Sequence, residues 1–350
     1  MKENITISET TSIKQAMKLL NKTGENCLLV VDENNKLLGT LTDGDLRRSI
    51  LKGVNYHSSI QESYNREPFV LQSGEFSDKE AGKIMTRKKI DLLPILDSVE
   101  KFVDYITWEQ LFGNISGKSG QVLKIPVVIM AGGRGTRMEP FTKVLPKPLV
   151  PIHEKPIIEH IVEQFTELGC SDFYLTVNYK SKIMKAYFEE LLPDYKVNFV
   201  DEQEPLGTAG SLRFLDGQFN HPFFVTNCDI IIKADYASIY EFHQKGGFDV
   251  TLVASAKEYV IPYGTCELNG DGHLSHINEK PRYDFFINTG LYVLNPDVLK
   301  IIPENKFYHI THLIEDAKNQ GKKVGVFPID DDAWIDIGQW TEYQQEVDKL

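Results

Sequence analysis

The chain contains 350 residues, of which 41% are apolar and 25% are charged, and its formal net charge is -12. This length predicts two or three domains, and the composition is that of a globular protein. The negative charge argues against non-specific binding to nucleic acid or to an anionic membrane surface, so we expect neither as a partner.

Cysteine usage and hydropathy narrow the expected compartment. The four cysteines (Cys27, Cys170, Cys228 and Cys266) are far apart and form no CxxC pair, which is typical of reduced thiols. The N-terminal stretch MKENITISET lacks the apolar core of a signal peptide. The longest apolar run, residues 125–131, is shorter than the about 20 residues that a membrane-spanning helix needs. We therefore expect a cytoplasmic protein without a membrane segment.

An internal repeat occupies the first third of the chain. Residues 16–46 align without a gap on residues 81–111, so that Val30 falls on Ile95. Each copy shows an amphipathic helix, an apolar strand, a polar turn, a second strand and a second helix. The sequence therefore predicts two similar small units in tandem.

This repeat resembles a tandem pair of CBS motifs over residues 1–113, a module that often binds nucleotides and regulates an attached enzyme. The resemblance implies that Thr42 and Asp45 contact a ribose in the first copy, whereas the second copy has Thr107 and Gln110 and lacks the carboxylate. A Thr-x-x-Asp pattern is also a helix capping box, so a structural or dimerising module is the alternative. We expect one regulatory nucleotide per pair, and the association typical of CBS pairs implies a homo-oligomer.

A glycine- and serine-rich stretch, residues 114–123, predicts a linker, and residues 124–350 predict a second domain. Strands and helices alternate there, beginning with a strand, over residues 125–130, 156–168, 173–177, 181–192, 197–200, 208–215, 223–226 and 235–245. This alternation predicts an α/β fold with a mixed, mostly parallel sheet covered by helices on both faces. Such sheets bind ligands at the carboxyl ends of their strands.

A glycine-rich stretch follows the first strand of this domain and reads AGGRGTRMEPFTKVLPKPLVP. It has the spacing of neither a dinucleotide motif nor a P-loop, because Met138 stands where each requires a glycine. The backbone N–H groups of residues 131–136 suit phosphate oxygens, and Arg137 adds a planar fork for bidentate binding. Two prolines restrict the backbone on either side of Lys147, which directs a second cation to the same site. The stretch therefore predicts a phosphate site.

The same stretch resembles the signature of the sugar-1-phosphate nucleotidyltransferases, GGxGTRxxPxTxxxPKxLxP. Later stretches that read EPLGTAG, FFVTNCD, EKP, INTG and WIDIG are similar to further motifs of that family. The resemblance implies that catalysis uses Arg137 and Lys147, that the nucleotide contacts Ala131, Gly132, Gly133, Gly135, Thr136, Glu204, Gly207 and Thr208, that the sugar phosphate contacts Gly264, Glu279, Lys280 and Asn288, and that Mg²⁺ binds Asp229 and Asp336. It also implies a Rossmann-like, GT-A-like nucleotidyltransferase domain.

The implied reaction joins an NTP and a sugar 1-phosphate into an NDP-sugar and releases pyrophosphate. Because a phosphate monoester is already ionised near neutral pH, its attack on the α-phosphorus requires no general base. The PLGTAG stretch is most similar to guanylyltransferases for mannose or heptose phosphates. The combination with a CBS pair resembles CBS-fused guanylyltransferases that act on glucosamine 1-phosphate in legionaminic acid biosynthesis. We therefore expect GTP and glucosamine 1-phosphate, with the mannose and heptose phosphates as alternatives.

Other classes of function make different demands on the sequence. A catalytically silent sugar-nucleotide sensor is expected to lack some of the signature cations or metal carboxylates, and all of these are present. A dehydrogenase requires a complete glycine motif. His309 and His312 have helical spacing but lack a third ligand nearby, so they predict a surface pair rather than a metal site.

Overall fold

The computed structural model describes residues 5–24, 26–88, 90–107, 110–111, 123–338 and 343. The chain forms two compact units, of which the first comprises Met1–Gly120 with Glu258–Asp284 and the second comprises Gln121–Lys257 with Phe285–Leu350. Residues 114–122 of the predicted linker lie outside the described residues. The segment Glu258–Asp284 belongs to the first unit although it lies within the predicted domain 124–350, a feature that local sequence patterns do not indicate.

The internal repeat is present in the first unit as two three-stranded sheets of the same design. Their elements are β1 (Thr6–Ile7), α1 (Ile13–Thr23), β2 (Cys27–Val31), β3 (Leu37–Thr42), α2 (Asp43–Leu51), β4 (Leu71–Gln72), α3 (Asp78–Lys88), β5 (Leu92–Leu96) and β6 (Phe102–Thr107). In each sheet the first strand is parallel to the second and the second is antiparallel to the third. The strands of the second copy repeat those of the first in order and in pairing.

Matching side-chain caps explain why the helices of the two copies begin at equivalent positions. Ser12 accepts a hydrogen bond from Gln15 N–H, and the Gln15 side chain accepts one from Ser12 N–H. Ser77 and Glu80 form the same reciprocal pair at the start of α3. Such a box satisfies two backbone donors that the first turn of a helix leaves unpaired. The start of both helices is therefore stabilised by residues only three positions apart in the sequence.

The second unit contains a seven-stranded mixed sheet with helices on both faces. The α-helices and strands of this unit are β7 (Val127–Met130), β8 (Pro151–Ile152), β9 (Lys155–Pro156), α4 (Ile157–Thr166), β10 (Asp172–Val177), α5 (Ser181–Leu191), β11 (Lys196–Asp201), β12 (Phe223–Asn227), β13 (Ile230–Ile232), α6 (Tyr236–Gly246), β14 (Val250–Val260), β17 (Arg282–Leu294), α7 (Ile310–Asn319), β18 (Val324–Asp330) and β19 (Trp334–Asp336). Between β14 and β17 the chain forms a hairpin that belongs to the first unit, with strands β15 (Thr265–Leu268) and β16 (Leu274–Asn278). The strand order is β11-β10-β7-β12-β17-β14-β18. The first four strands are parallel, and β17 is antiparallel to β12. The Rossmann-like α/β fold with a mixed sheet is thus confirmed.

Apolar side chains on β7 and α4 form the centre of this unit. Val127, Ile129, Ile158 and Phe165 are fully buried in one cluster. Burying one such side chain contributes about 1.5–3 kcal/mol, so the apolar runs that predict these elements also hold the sheet in place.

The structure differs from the sequence prediction at residues 208–215, where a helix is predicted and a 3₁₀ helix forms over Gly210–Leu215. Within the described residues, none of the helices combines the length and the apolarity that a membrane crossing requires.

Candidate active site

The predicted metal carboxylates come together at the carboxyl end of the central strands. Strand β12 lies beside β7 in parallel, with Asn227 opposite Met130, so Asp229 follows β12 at the edge where the signature loop follows β7. Strand β13 pairs with β19 and sets Asp336 opposite Ile230. The backbone therefore brings Asp229 and Asp336 side by side, although they are far apart in the sequence.

Gly338 shows how close these two carboxylates are. A Cβ atom added at Gly338 would lie 2.7 Å from Asp336 Oδ1 and 2.8 Å from Asp229 Oδ2. Gly338 N–H also donates a hydrogen bond to Asp336 Oδ1 at 2.7 Å. Both carboxylates therefore face one small space that a side chain at position 338 would fill.

Lys147 lies against the same space. Its side chain is buried, its ammonium group contacts the Asp229 carboxylate, and Nζ is 3.4 Å from the Gly338 carbonyl oxygen. A 3₁₀ turn over Lys147–Leu149 begins at Lys147, between the two prolines, and fixes the base of this side chain. In the ligand-free protein, Lys147 thus compensates the negative charge of the carboxylate pair.

The electrostatics of Asp336 reflect its crowded position. Burial raises the pKa of Asp336 above its ordinary value, and the nearby Asp229 carboxylate acts in the same direction. The Gly338 N–H and the charges of Lys147 and Arg137 oppose the rise. A carboxylate pair with these properties is suited to bind a cation.

The signature loop leaves β7 at Ala131 and turns sharply at Gly135. Gly135 has a φ of 65°, and a Cβ atom there would lie 2.9 Å from Thr142 Cγ2 and 3.0 Å from Lys147 Cβ. A glycine is therefore needed both for the backbone angle and for the close approach of Lys147. This contact joins the predicted nucleotide loop to the predicted catalytic lysine.

The other predicted residues of the loop are mostly open to solvent. Gly133, Thr136 and Arg137 are exposed, and a Cβ atom at Gly133 would have no neighbour within 4 Å. Among the described residues, none forms a hydrogen bond or an ion pair with the Arg137 guanidinium, although its charge reaches Asp336. Arg137 is therefore placed to take an external phosphate.

Glu202 is a buried carboxylate beside the signature loop that the sequence motifs do not indicate. It follows β11, it is buried, and its Oε2 accepts a hydrogen bond from Leu206 N–H at 3.3 Å. A Cβ atom at Gly132 would lie 2.8 Å from Glu202 Oε1, an oxygen that receives no hydrogen bond from the described residues. Glu202 thus lies between two predicted nucleotide loops, whereas the predicted Glu204 is exposed.

The GTAG loop is held by the segment that precedes α7. Gly207 has a φ of 80°, and a Cβ atom there would lie 2.7 Å from the Tyr308 carbonyl oxygen. The Thr208 hydroxyl accepts a hydrogen bond from Ile310 N–H at 2.9 Å, so Thr208 caps α7. The structure therefore gives Thr208 a capping partner within the chain in addition to its predicted contact with nucleotide.

Asn288 lies on β17 and is fixed by its own strand. Its side-chain nitrogen donates to the Tyr292 hydroxyl at 2.8 Å, and its Oδ1 accepts from Gly290 N–H at 3.2 Å. A Cβ atom at Gly290 would lie 2.4 Å from Asn227 Nδ2. Gly290 thus allows β17 to approach the strand end that leads to Asp229.

The other predicted sugar-phosphate residues belong to the first unit. A Cβ atom at Gly264 would lie 3.0 Å from Glu279 Oε2, so these two residues are neighbours at the base of the β15–β16 hairpin. Lys280 follows with a φ of 46° and is exposed. The structure therefore groups Gly264, Glu279 and Lys280 with each other and with the N-terminal module.

A cavity of about 610 Å³ contains the predicted regulatory residues Thr42 and Asp45. Thr42 Oγ1 and Asp45 Oδ2 are 2.6 Å apart, and Thr42 N–H also donates to that carboxylate oxygen. The capping box expected from the sequence is therefore formed, and Arg48 contacts the same carboxylate. Ser63 Oγ in the cavity wall is buried and has no hydrogen-bond partner among the described residues.

His309 and His312 lie at the start of α7 with ring centroids 5.5 Å apart. Within the described residues, no group of three or more His, Cys, Asp or Glu side chains could hold a metal ion. The space beside Gly338 nevertheless fits Mg²⁺, which binds oxygen ligands and often uses one or two carboxylates together with substrate phosphates. Asp229 and Asp336 are the residues that would hold it.

Two family models match the chain. The model described as Nucleotidyl transferase matches residues 126–350, and the model described as CBS domain matches residues 1–52. The second copy of the repeat has the same strand pairing as the first although the CBS model covers only the first copy. The two matches confirm a nucleotidyltransferase fold with a CBS domain at the N-terminus.

Similar curated proteins include yeast enzymes with related names. Mannose-1-phosphate guanyltransferase 2 of Candida glabrata is 35% identical over 226 residues, which cover 62% of this chain and 62% of that protein. Mannose-1-phosphate guanyltransferase of Schizosaccharomyces pombe is 37% identical over 226 residues, with a coverage of 62% and 61%. The chain thus spans less than two thirds of the length of these relatives.

Solved structures similar to the chain include HddC from Yersinia pseudotuberculosis. The match has a TM-score of 0.51 and 28% identity, and it covers 64% of this chain and 99% of HddC. A second structure of HddC, complexed with GMP-PN, has the same TM-score at 26% identity. Together with the family model, which covers more than half of the residues, these likenesses show that the chain belongs to the nucleotidyl transferase family.

Proposed function

We propose that this chain transfers a guanylyl group from GTP to a sugar 1-phosphate, giving a GDP-sugar and pyrophosphate. The observation that carries the proposal is the convergence of Asp229, Asp336 and Lys147 around Gly338, next to the signature glycine loop. A reaction between two anions requires neutralised charge more than proton transfer, and this cluster supplies one cation, Lys147, and two carboxylates for a metal ion.

The proposed chemistry is an in-line displacement at the α-phosphorus. An oxygen of the sugar phosphate forms the new P–O bond, the bond to the β-phosphate breaks, and pyrophosphate leaves with the electron pair. A bound Mg²⁺ would polarise the α-phosphate and neutralise its charge. Arg137, which is exposed beside the loop, stabilises the negative charge on the α-phosphate and the departing pyrophosphate. The Lys147 ammonium group moves from Asp229 to the incoming sugar phosphate and holds it.

The proposed preference for guanine rests on Glu202. Guanine presents two adjacent N–H donors, at N1 and at the exocyclic N2, which suit the two oxygens of one carboxylate. Adenine, cytosine and uracil each pair a donor with an acceptor on that edge, so a carboxylate cannot bind them in the same bidentate manner. The Glu202 carboxylate is buried between two nucleotide loops and keeps an oxygen without a donor among the described residues.

The proposed sugar is glucosamine 1-phosphate, and mannose or heptose 1-phosphate is the second candidate. The CBS module supports the first, because CBS-fused guanylyltransferases of legionaminic acid biosynthesis resemble this chain in their domain order. The names of the yeast relatives support mannose 1-phosphate. Both readings use the same metal and nucleotide residues.

A panel of substrates tests the proposal. The purified full chain with Mg²⁺ is mixed with each of the four common NTPs and with glucosamine, mannose, glucose and heptose 1-phosphates. We expect pyrophosphate release with GTP and one sugar phosphate, and a product with the mass of the GDP-sugar. Asp336→Asn removes one of the two proposed metal carboxylates and should reduce the rate about 100-fold or more. If the chain binds GDP-sugar but releases no pyrophosphate with any pair, a silent sensor is the correct function.

The N-terminal module supports two further parts of the proposal. The cavity at Thr42 and Asp45 takes a regulatory nucleotide, because its wall offers hydroxyl, carboxylate and guanidinium groups together with the buried Ser63 hydroxyl, which has no hydrogen-bond partner in the described part of the chain. Association of the modules of two chains gives a homo-oligomer, as the resemblance to CBS pairs implies. All four cysteines are free thiols, which supports a cytoplasmic location.

A further inference from the structure

The hairpin of β15 and β16 has little core of its own. Leu268, Leu274 and Ile277 are each more than half exposed. The strands pair from Thr265 opposite Asn278, close to the predicted sugar-phosphate residues at the base. An isolated two-stranded hairpin is only marginally stable in water, so its conformation depends on what holds its base. We refer to β15 and β16 with their flanking residues 261–264 and 279–281 as the sugar hairpin.

A cluster of charges lies at the base of the sugar hairpin. The Glu258 carboxylate, at the end of β14, is 3.3 Å from Lys14 Nζ and 3.2 Å from His57 Nε2. Arg282, on the other side of the hairpin, has Nη1 at 3.5 Å from Glu258 Oε1. The Ile261 N–H donates to the Pro281 carbonyl at 3.1 Å and closes the base between these residues. Residues of the CBS module therefore contact the chain where it enters the hairpin, and Arg282 connects that point to where the chain leaves it.

The burial of Glu258 distinguishes this cluster from an ordinary surface ion pair. Its side chain is 14% exposed and that of Lys14 is 21% exposed. Burial opposes ionisation of Glu258, but the neighbouring Lys14 ammonium and the charge of Arg282 lower its pKa below the ordinary value. Exposed pairs contribute little, whereas removing one partner of a largely buried pair leaves a charge without compensation.

The backbone of the CBS module fixes Lys14 and His57 in place. Lys14 lies in the first turn of α1 and its N–H donates to the Tyr56 carbonyl, while Ile13 N–H donates to the Ser58 carbonyl. His57 is thus held between two backbone hydrogen bonds to the start of α1. Because Lys14 and His57 lie on ordered backbone, contact with Glu258 costs less conformational entropy than contact from a disordered segment would.

We propose that Lys14 and His57 are positioning residues for the sugar hairpin, which they hold through Glu258 at its base. The CBS module then has a part in substrate recognition in addition to any regulatory ligand. This inference rests on the proposed function only in that Gly264, Glu279 and Lys280 contact the sugar phosphate. The hold itself is a property of the first unit and can be measured without turnover.

Hydrogen exchange on the full chain tests the hold directly. In Lys14→Met we expect the amides of β15 and β16 to exchange at least about tenfold faster, because the buried carboxylate loses its main partner. Lys36→Met is the matched control, since Lys36 pairs with the exposed Glu100 in the same module. Lys14→Arg keeps the positive charge beside Glu258 and should keep exchange slow. Unchanged exchange of the hairpin in Lys14→Met, or equal acceleration in Lys36→Met, would overturn the proposal.

Steady-state kinetics then test the link to substrate. In Lys14→Met and in His57→Gln we expect KM for the sugar 1-phosphate to rise about tenfold while KM for GTP and kcat stay near the wild-type values. A fall in kcat with both KM values unchanged would contradict a positioning role. If the wild-type chain transfers nothing with any substrate pair, the proposed function fails, and the exchange experiment alone decides whether Lys14 and His57 hold the hairpin.

Discussion

The predicted nucleotide site contains a buried carboxylate, Glu202, that lies outside the sequence motifs. Glu204 belongs to the recognisable EPLGTAG stretch and is exposed, whereas Glu202 lies outside it and is buried between Gly132 and Leu206. The available signal in the sequence was its position, because Glu202 comes directly after a predicted strand, at the edge where such sheets bind ligands.

Glu202→Gln should change the preferred base. An amide offers one donor and one acceptor in place of two acceptors, so it no longer matches the paired N–H groups of guanine. We expect kcat/KM for GTP to fall about 100-fold, and that for UTP or ATP to rise relative to it. The measurement is pyrophosphate release with each NTP. Glu204→Gln is the comparison, and a larger loss in that variant would return base recognition to the residue that the motif predicts.

Lys147→Met should increase the affinity of the ligand-free protein for a divalent ion. The ammonium group of Lys147 contacts Asp229, so a metal ion must compete with a resident positive charge. Without it, we expect Mn²⁺ to bind about tenfold more tightly, as measured by electron paramagnetic resonance of the free ion. Lys245→Met removes an exposed partner of Glu241 and serves as the control. An unchanged or weaker affinity in Lys147→Met would show that the lysine does not occupy the place of the ion.

Elements that local patterns define are those that the sequence predicts well. The apolar runs of β7 and β12 and the apolar face of α4 are visible in the sequence, and the structure has them within a few residues. The segment 208–215 forms a 3₁₀ helix from Gly210, and at its start the Ala209 and Gly210 N–H groups donate hydrogen bonds to the Tyr308 carbonyl. Contacts between residues about 100 positions apart cannot be read from a window of local periodicity.

A buried histidine on helix α6 contacts strand β14, and its protonation should lower the thermal stability of the protein. His243 Nδ1 is 2.9 Å from Thr251 Oγ1, and Nε2 is 3.2 Å from Asn295 Oδ1. Burial lowers the pKa of His243 below its ordinary value, although the Asn295 hydrogen bond and the charge of Asp249 act in the opposite direction. The folded protein therefore favours the neutral ring.

The sign of the expected pH dependence follows from this shift. In the unfolded chain a histidine binds a proton near pH 6.5, whereas the folded His243 ring binds one only at lower pH. The contribution of the neutral ring to the free energy of unfolding is therefore fully present above pH 6.5 and is lost as the pH drops below it. Between pH 7.5 and 5.5, the Tm of the wild-type chain should fall about 2–4 °C more than that of His243→Gln. Parallel melting curves for the two proteins would contradict the buried neutral ring.

The two copies of the repeat are alike in backbone and different in the residues that line a ligand cavity. Thr40 lines the cavity of the first copy, and Tyr105 stands at the equivalent position of the second. Asp45 of the first copy is replaced by Gln110 in the second. The shared backbone was predictable from the aligned sequences, whereas the cavity depends on side chains from the connecting segment, such as Ser63 and Asn65.

Thr40→Tyr should abolish binding at the CBS cavity by copying the second repeat into the first. A tyrosine side chain is too large for the space that Thr40 leaves, so nucleotide loses its place while the strand keeps its hydrogen bonds. By calorimetry we expect nucleotide to bind two sites per wild-type chain, one in each unit, and one site in Thr40→Tyr. Thr40→Ser is the control and should keep both. A single site in all three proteins would leave the module a structural or dimerising role, and two sites in Thr40→Tyr would show that the nucleotide does not need the space beside Thr40.

The thiols of the molecule are unequally placed. Cys27, Cys170 and Cys228 are buried, whereas Cys266 lies exposed on β15 of the sugar hairpin. A maleimide dye should therefore attach to the native chain at Cys266, on the sugar hairpin. The unmodified protein thus carries its own attachment point for an optical reporter, and movement of that segment during substrate capture can be followed in real time without engineering a new cysteine.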